Sequence, residues 1–253
     1  LSAVKKSIAV FAVLFLCLIT ISGCAEEKEV LTVGTEATFA PFESQDENGT
    51  YIGFDMDVIA YIAEDNGWDY EIVNIAFDTL IDKLEGGDLD IVIAAMTIDD
   101  ERSQRADFSN PYYDASQIIV VREEETREYS MDDIASLDLK VAVQMGTTGA
   151  EEAQKILGSD KIHNLYEYKR ANEVFLELAS GRVDLAIIDQ PVAQKYIGEM
   201  GGMKIHGSPF TEEKFGIAVQ KGEKEKLDKI NASLEKMVSS GEYQTLYDKW
   251  FDE

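Results

Sequence analysis

Two stretches decide how this chain reads: LEGGDLDIVIAA at residues 84–95 and LASGRVDLAIID at residues 178–189. Each runs from a helix end through a glycine stop (Gly87, Gly181) to an Asp (Asp90, Asp184) and then an apolar strand. A second pair, LTVGTE (31–36) and LKVAVQ (139–144), occurs in the same order, and both members are strands closing on a polar residue. Two pairs in one order predict two similar α/β lobes. Between them, strand-like segments such as YEIVNI alternate with helix-like ones such as DMDVIAYIAEDNG, which Asp55 would open, and FDTLIDKLEGG. That alternation predicts βαβ units and mostly parallel sheets.

In open parallel sheets ligands lie beyond the carboxyl ends of the strands. Four places are singled out: Glu36 and the turn Ala95-Met96-Thr97 in the first lobe, Gln144 and Asp189 in the second. The turn continues as MTIDDER (96–102), in which Arg102 stands out in an acidic chain. With Thr97 as helix N-cap, a strand end, a helix start and a guanidinium make an anion site suited to a carboxylate. The alternative is a surface pair with Asp99 or Glu101; the repeat favours the site. Across the cleft, MGTTGAEEA (145–153) offers Thr148 with Glu151 as a capping box, and Gly146 and Gly149 for close backbone approach. Asp189 ends a buried strand, where an unpaired carboxylate is costly. A ligand ammonium would satisfy it, as would a backbone N–H or Lys195. Phe39 and Phe77 each follow a strand, as core residues or as two faces around a ligand side chain.

The N-terminus reads differently. Lys5 and Lys6 precede an apolar run from Ile8 to Ile21, then Ser22, Gly23 and Cys24. The run spans about 21 Å as a helix, short of the ~30 Å hydrocarbon core, so an export signal is expected over 1–23. The ISGC segment resembles a lipobox, with Cys24 as the lipidated residue and 24–29 as a tether. Without residues 1–23 the chain carries 21 basic and 49 acidic residues. Such acidity argues against a nucleic-acid partner. Cys24 is then the sole thiol, which excludes an intrachain disulfide and two-cysteine metal sites.

Taken together, GTEATFAPF (34–42), YIGFDMDVIAYIA (51–63), AFDTLIDKL (76–84), MTIDDERSQRADFSNPYY (96–113), VAVQMGTTG (141–149), GRVDLAIID (181–189) and GEYQTLYDKWF (241–251) resemble the family 3 solute-binding proteins of polar amino-acid ABC importers. The resemblance implies a type II periplasmic-binding-protein-like α/β fold with two hinge crossings, near Tyr112–Ser116 and Thr211–Phe215. Lobe one would be 30–113 plus 213–253, and lobe two 114–212. By the same resemblance, Arg102, Thr97 and Thr148 hold a ligand α-carboxylate, and Asp189 with backbone near Ala95 takes the α-ammonium. Phe39 and Phe77 stack on the ligand side chain, and Glu36 and Gln144 help select it. Many members have Gly where this chain has Ala95; Gln144 replaces a Lys of some glutamine binders. Glu36 needs a cationic partner, so arginine ranks first, then lysine or histidine, with glutamine the rival.

The expectation is therefore a monomeric receptor, lipid-anchored at the outer face of the cell membrane, that passes an amino acid to an ABC permease. It is expected to use no cofactor, no metal and no catalytic residue. Two other classes are weighed: a cyclohexadienyl dehydratase-like enzyme, and a sensor's ligand-binding module, which would need a membrane helix and signalling domain downstream. His163 and His206 fall outside every motif.

Overall fold

The structure, a computed structural model, describes residues 30–252; the expected export signal and Cys24 lie outside them. In chain order the elements are β1 (Val30–Thr35), β2 (Ser44–Gln45), β3 (Tyr51–Ile52), α1 (Phe54–Asn66), β4 (Asp69–Asn74), α2 (Leu80–Glu85), β5 (Ile91–Val92), α3 (Asp100–Arg105) and β6 (Ala106–Phe108). After β7 (Tyr113–Ala115) come β8 (Gln117–Arg122), α4 (Met131–Ser136), β9 (Val141–Gln144), α5 (Thr148–Lys161), β10 (Leu165–Tyr168), α6 (Ala171–Ala179), β11 (Leu185–Asp189), α7 (Gln190–Met200) and β12 (Met203–His206). The chain closes with β13 (Glu213–Phe215), β14 (Ala218–Gln220), α8 (Lys224–Ser240) and α9 (Glu242–Phe251).

Two five-stranded sheets result, ordered β4-β1-β5-β14-β6 and β10-β9-β11-β8-β12. The repeat seen in sequence becomes the middle strand of each, β5 and β11. In both sheets the three βαβ-connected strands run parallel. Beside the middle strand, on its other side, lies an antiparallel one, β14 or β8. Each of these is the first large-sheet strand after the chain has passed from one lobe to the other. The two passing strands, β7 and β13, pair antiparallel with each other.

The repeated Asp residues do the same work in each lobe. Asp90 Oδ2 accepts from Thr32 N at 2.8 Å and Thr32 Oγ1 at 2.9 Å. Asp184 Oδ2 accepts from Lys140 N at 2.8 Å, just before β9. Each carboxylate thus satisfies a backbone donor at the start of the neighbouring central strand, which fixes the register that carries both strand ends to the cleft.

Both faces of each sheet are covered, so strands such as IVIAA and LAIID are buried throughout rather than alternating. One aromatic cluster ties the lobes' connection to lobe one. Phe42, with no exposed surface, packs its ring at 4.8 Å from Tyr113, 5.2 Å from Phe215 and 5.3 Å from Phe251, with edge-on or tilted geometry. These three rings belong to β7, β13 and α9. Phe251 is therefore a structural anchor, and Trp250 Nε1 beside it donates to Asp57 Oδ2 at 2.6 Å. Among the described residues no helix is long and apolar enough to cross a membrane.

Truncating a fully buried aromatic ring costs about 3–5 kcal/mol. Phe42→Ala should lower the free energy of unfolding by that amount in urea melts. A loss under about 1 kcal/mol would mean the ring cluster does not fix the two connecting strands.

Candidate functional site

The nine residues marked out as ligand contacts line one pocket between the sheets, together with Glu43 and Thr147. Residues from both lobes meet across it. Gln144 Nε2 donates to Glu36 Oε2 at 3.0 Å, Ala171 N to Thr38 Oγ1 at 3.1 Å, and Tyr196 OH to Thr38 O at 2.8 Å.

Arg102 belongs to both readings offered by the sequence. It pairs with Asp99, Nε to Oδ2 at 3.2 Å, and it also lines the cavity with its side chain only 11% exposed. Nη1 donates to Thr97 O at 2.8 Å, and Nη2 crosses to Gly146 O at 3.0 Å. A guanidinium has five N–H groups. One on each terminal nitrogen donates here and Nε stands in the ion pair with Asp99, so each terminal nitrogen keeps one N–H that a carboxylate could take. Its Cζ also stands 5.5 Å from the Phe77 ring centroid, so Phe77 flanks the guanidinium as well as the cavity. Gly146 permits the crossing: its φ is +75°, and a Cβ there would stand 2.9 Å from Asp78 Cβ across the cleft.

Two capping assignments are corrected. The N-cap of α3 is Asp99, whose Oδ1 accepts from Arg102 N at 2.7 Å, and not Thr97. The N-cap of α5 is Thr147, whose Oγ1 accepts from Ala150 N at 3.2 Å, and not Thr148. The shift leaves both the Thr97 and Thr148 hydroxyls uncommitted to helix ends. Each instead donates to Glu213 Oε2, at 2.6 and 2.7 Å. Likewise α1 starts at Phe54 behind Gly53, and Asp55 is not its cap.

Asp55 does something else. Fully buried, it accepts from Ala95 N at 2.7 Å and from Tyr112 OH on both oxygens, at 2.9 and 2.8 Å. Ala95 adopts φ +46°, which a residue with a Cβ rarely does. The Asp55 bond holds the 95–97 turn in that shape, so that its backbone faces the cavity. Glu43, beside Asp55, is also fully buried, and neither of its oxygens receives a hydrogen bond. Burial first, then the negative charge of Asp55, pushes the Glu43 carboxyl well above its usual range. Asp55 already has two donors, Ala95 N and Tyr112 OH, while Glu43 has none, so Asp55 is the anion of the pair and Glu43 keeps the proton. Glu43 and Glu213 were not picked out from sequence, Asp55 was read there only as a helix start and Tyr112 only as the bound of a hinge crossing.

Asp189 ends β11 at 5% exposure with Oδ1 unpartnered. Lys195 does not reach it but pairs with Glu199 at 3.3 Å. Burial, followed by the negative charge of Glu213, pushes the Asp189 carboxyl up to about 8. Burial likewise raises Glu36, opposed by hydrogen bonds from Thr38 and Gln144. The Gln144 carbonyl oxygen has no donor either. The buried, unpartnered side-chain atoms lining the cavity are all oxygens, on Glu43, Gln144 and Asp189. Among the described residues no cluster of three or more His, Cys, Asp or Glu could hold a metal.

The family described as bacterial extracellular solute-binding proteins, family 3, matches residues 31–253. A probable histidine-binding protein of Neisseria gonorrhoeae is 35% identical over 230 residues, covering 90% of this chain and 85% of that one. Among solved structures, an ancestral arginine-binding protein bound to arginine superposes with a TM-score of 0.82 at 43% identity, covering 88% of this chain and 98% of that one. The structure of an ancestral arginine-binding protein bound to glutamine gives 0.83 at 42% identity over the same shares.

A buried carboxyl that keeps its proton to about pH 8, against ~3.9 when exposed, binds more protons in the folded than in the unfolded state between those values. Folding stability should thus fall as pH rises from about 4 to 8, by up to ~1.4 kcal/mol per pH unit for this group. Urea melts of Asp189→Asn at pH 5 and 8 should show a shallower loss than wild type, with the variant ahead at pH 8. Equal slopes in the two proteins would put the Asp189 carboxylate in water.

Proposed function

The chain belongs to the bacterial extracellular solute-binding proteins of family 3, and from that premise we propose that it captures a free basic amino acid, arginine first, outside the cytoplasm and delivers it to an ABC permease. Arg102 holds the α-carboxylate on its two uncommitted N–H groups, with Thr97 and Thr148 at hand. Asp189 takes the α-ammonium, helped by the carbonyl of Ala95. The side chain lies against Phe39 and Phe77 and reaches Glu36 and Gln144. Lobe one is 30–113 with 213–253, lobe two is 114–212, and they close about the paired strands β7 and β13. Closure is favoured because the ligand bridges both lobes only then.

One observation carries the choice of ligand: the unpartnered buried atoms of the cavity are oxygens, and its carboxyl groups outnumber its single guanidinium. An arginine side chain is all donors, five N–H groups and no acceptor. Glutamine brings a carbonyl that would face oxygen. A dicarboxylate such as prephenate would do worse, which supports a receptor over a dehydratase. Cationic ligands also gain from the acidic chain as a whole, to a degree that salt reduces. Cys24, by its lipobox, anchors the protein to the membrane, and Cys24→Ser should release it into the soluble fraction; retention with the membranes would refute the anchor.

A thermal-shift panel of the common amino acids should rank L-arginine first, with stabilisation rising as RT ln(1 + [L]/Kd). Largest stabilisation by glutamine or an acidic amino acid would overturn the assignment. Arg102→Ala removes one member of a desolvated charged pair, about 3–5 kcal/mol. Calorimetry should show Kd raised by ~10²- to 10³-fold or more, in a protein whose circular dichroism stays native.

A further inference from the structure

Glu213 sits on β13, the second strand joining the lobes, and its carboxylate is turned toward the proposed carboxylate clamp. Oε2 accepts from Thr97 Oγ1 at 2.6 Å, in lobe one, and from Thr148 Oγ1 at 2.7 Å, in lobe two. Oε1 accepts from Thr211 Oγ1 at 2.9 Å, and Thr211 in turn accepts from Gln117 N at 2.7 Å. One carboxylate therefore links the hinge to a hydroxyl on each side of the cleft.

A threonine hydroxyl carries a single hydrogen. While it points at Glu213 it has none to give a ligand. Thr148 is held in that orientation from the other side too, because its oxygen accepts from Gln117 Nε2 at 3.2 Å. Two carboxylates brought to the same pair of hydroxyls also repel each other in a dry site. We propose that Glu213 is an internal rival of the ligand α-carboxylate, which takes the hydrogens of Thr97 and Thr148 when no amino acid is bound and must yield them for one to bind. This rests on the assignment of those hydroxyls to the α-carboxylate above.

Two consequences follow. The Glu213 bonds draw the lobes together without ligand, so part of the protein is latched and not competent to bind. Apparent affinity is then reduced by the competent fraction. Glu213 thereby sets the affinity of the site without touching the ligand side chain, and its effect is the same for every α-amino acid.

The test uses calorimetry with L-arginine and small-angle scattering on wild type, Glu213→Ala and Glu213→Gln. Glu213→Ala should lower the Kd for L-arginine by about threefold or more, as the competent fraction rises. Without ligand it should also show a larger radius of gyration than wild type, while the arginine-bound forms coincide. Glu213→Gln, which keeps the shape and loses the charge, should shift both readings the same way by less. An unchanged or raised Kd in both variants, or an unchanged ligand-free radius, overturns the proposal. Should wild type fail to bind L-arginine, the ligand assignment falls, and the ligand-free scattering alone decides the role of Glu213.

Discussion

Burying carboxylates away from water is expensive unless a cation or hydrogen-bond donors replace the lost hydration, and this molecule buries several around a single guanidinium. Glu36, Glu43 and Asp189 all line the cavity, and Asp55 lies just behind it. The fold handles each differently. Asp55 is surrounded by donors and orders the turn at Ala95. Glu43 is held protonated by its surroundings. Glu36 takes two bonds on one oxygen, from its own lobe's Thr38 and from Gln144 of the other. Asp189 keeps an open oxygen, an unmet demand that the proposed ligand ammonium would meet.

The same bookkeeping links site to architecture. The proposed ligand contacts stand at strand ends, so their placement depends on register, which Asp90 and Asp184 hold in the two lobes through the same type of bond. The strands between the lobes are short, and their placement relies on a ring cluster centred on Phe42 that reaches the last helix. A segment far from the cleft in sequence, the C-terminal GEYQTLYDKWF, thus helps to hold the hinge from which Glu213 projects.

Sharing a family with arginine- and histidine-named relatives, one of them solved with glutamine bound, leaves the side-chain pocket as the discriminating element. The backbone clamp is common to all α-amino acids. Discrimination lies in whether the remaining groups are donors or acceptors, because a buried unpaired polar group weighs more than a missing contact. Here the imbalance is toward acceptors.

By itself the sequence determined the α/β class and the doubling of the lobes, because both are written in local periodicity and in a repeated Asp-plus-strand pattern. It also marked Glu36, Ala95, Gln144 and Asp189, since strand ends face ligands in such sheets whatever the details. The family resemblance supplied roles for Arg102, Thr97 and Thr148. What the sequence misplaced was one residue at each helix start: Asp99 and Thr147 are the caps, because competition between adjacent Ser, Thr and Asp side chains is settled by backbone angles and not by residue type. It gave Asp55 only a helix-opening role and was silent on Glu43 and Glu213. Their partners lie 40 residues away for Asp55 with Ala95, and 116 and 65 away for Glu213 with Thr97 and Thr148. An acid in a chain with 49 of them carries no mark of being buried. Only folding, which removes water from some of those carboxylates and brings distant donors to others, separates the few that shape the site from the many that face solvent.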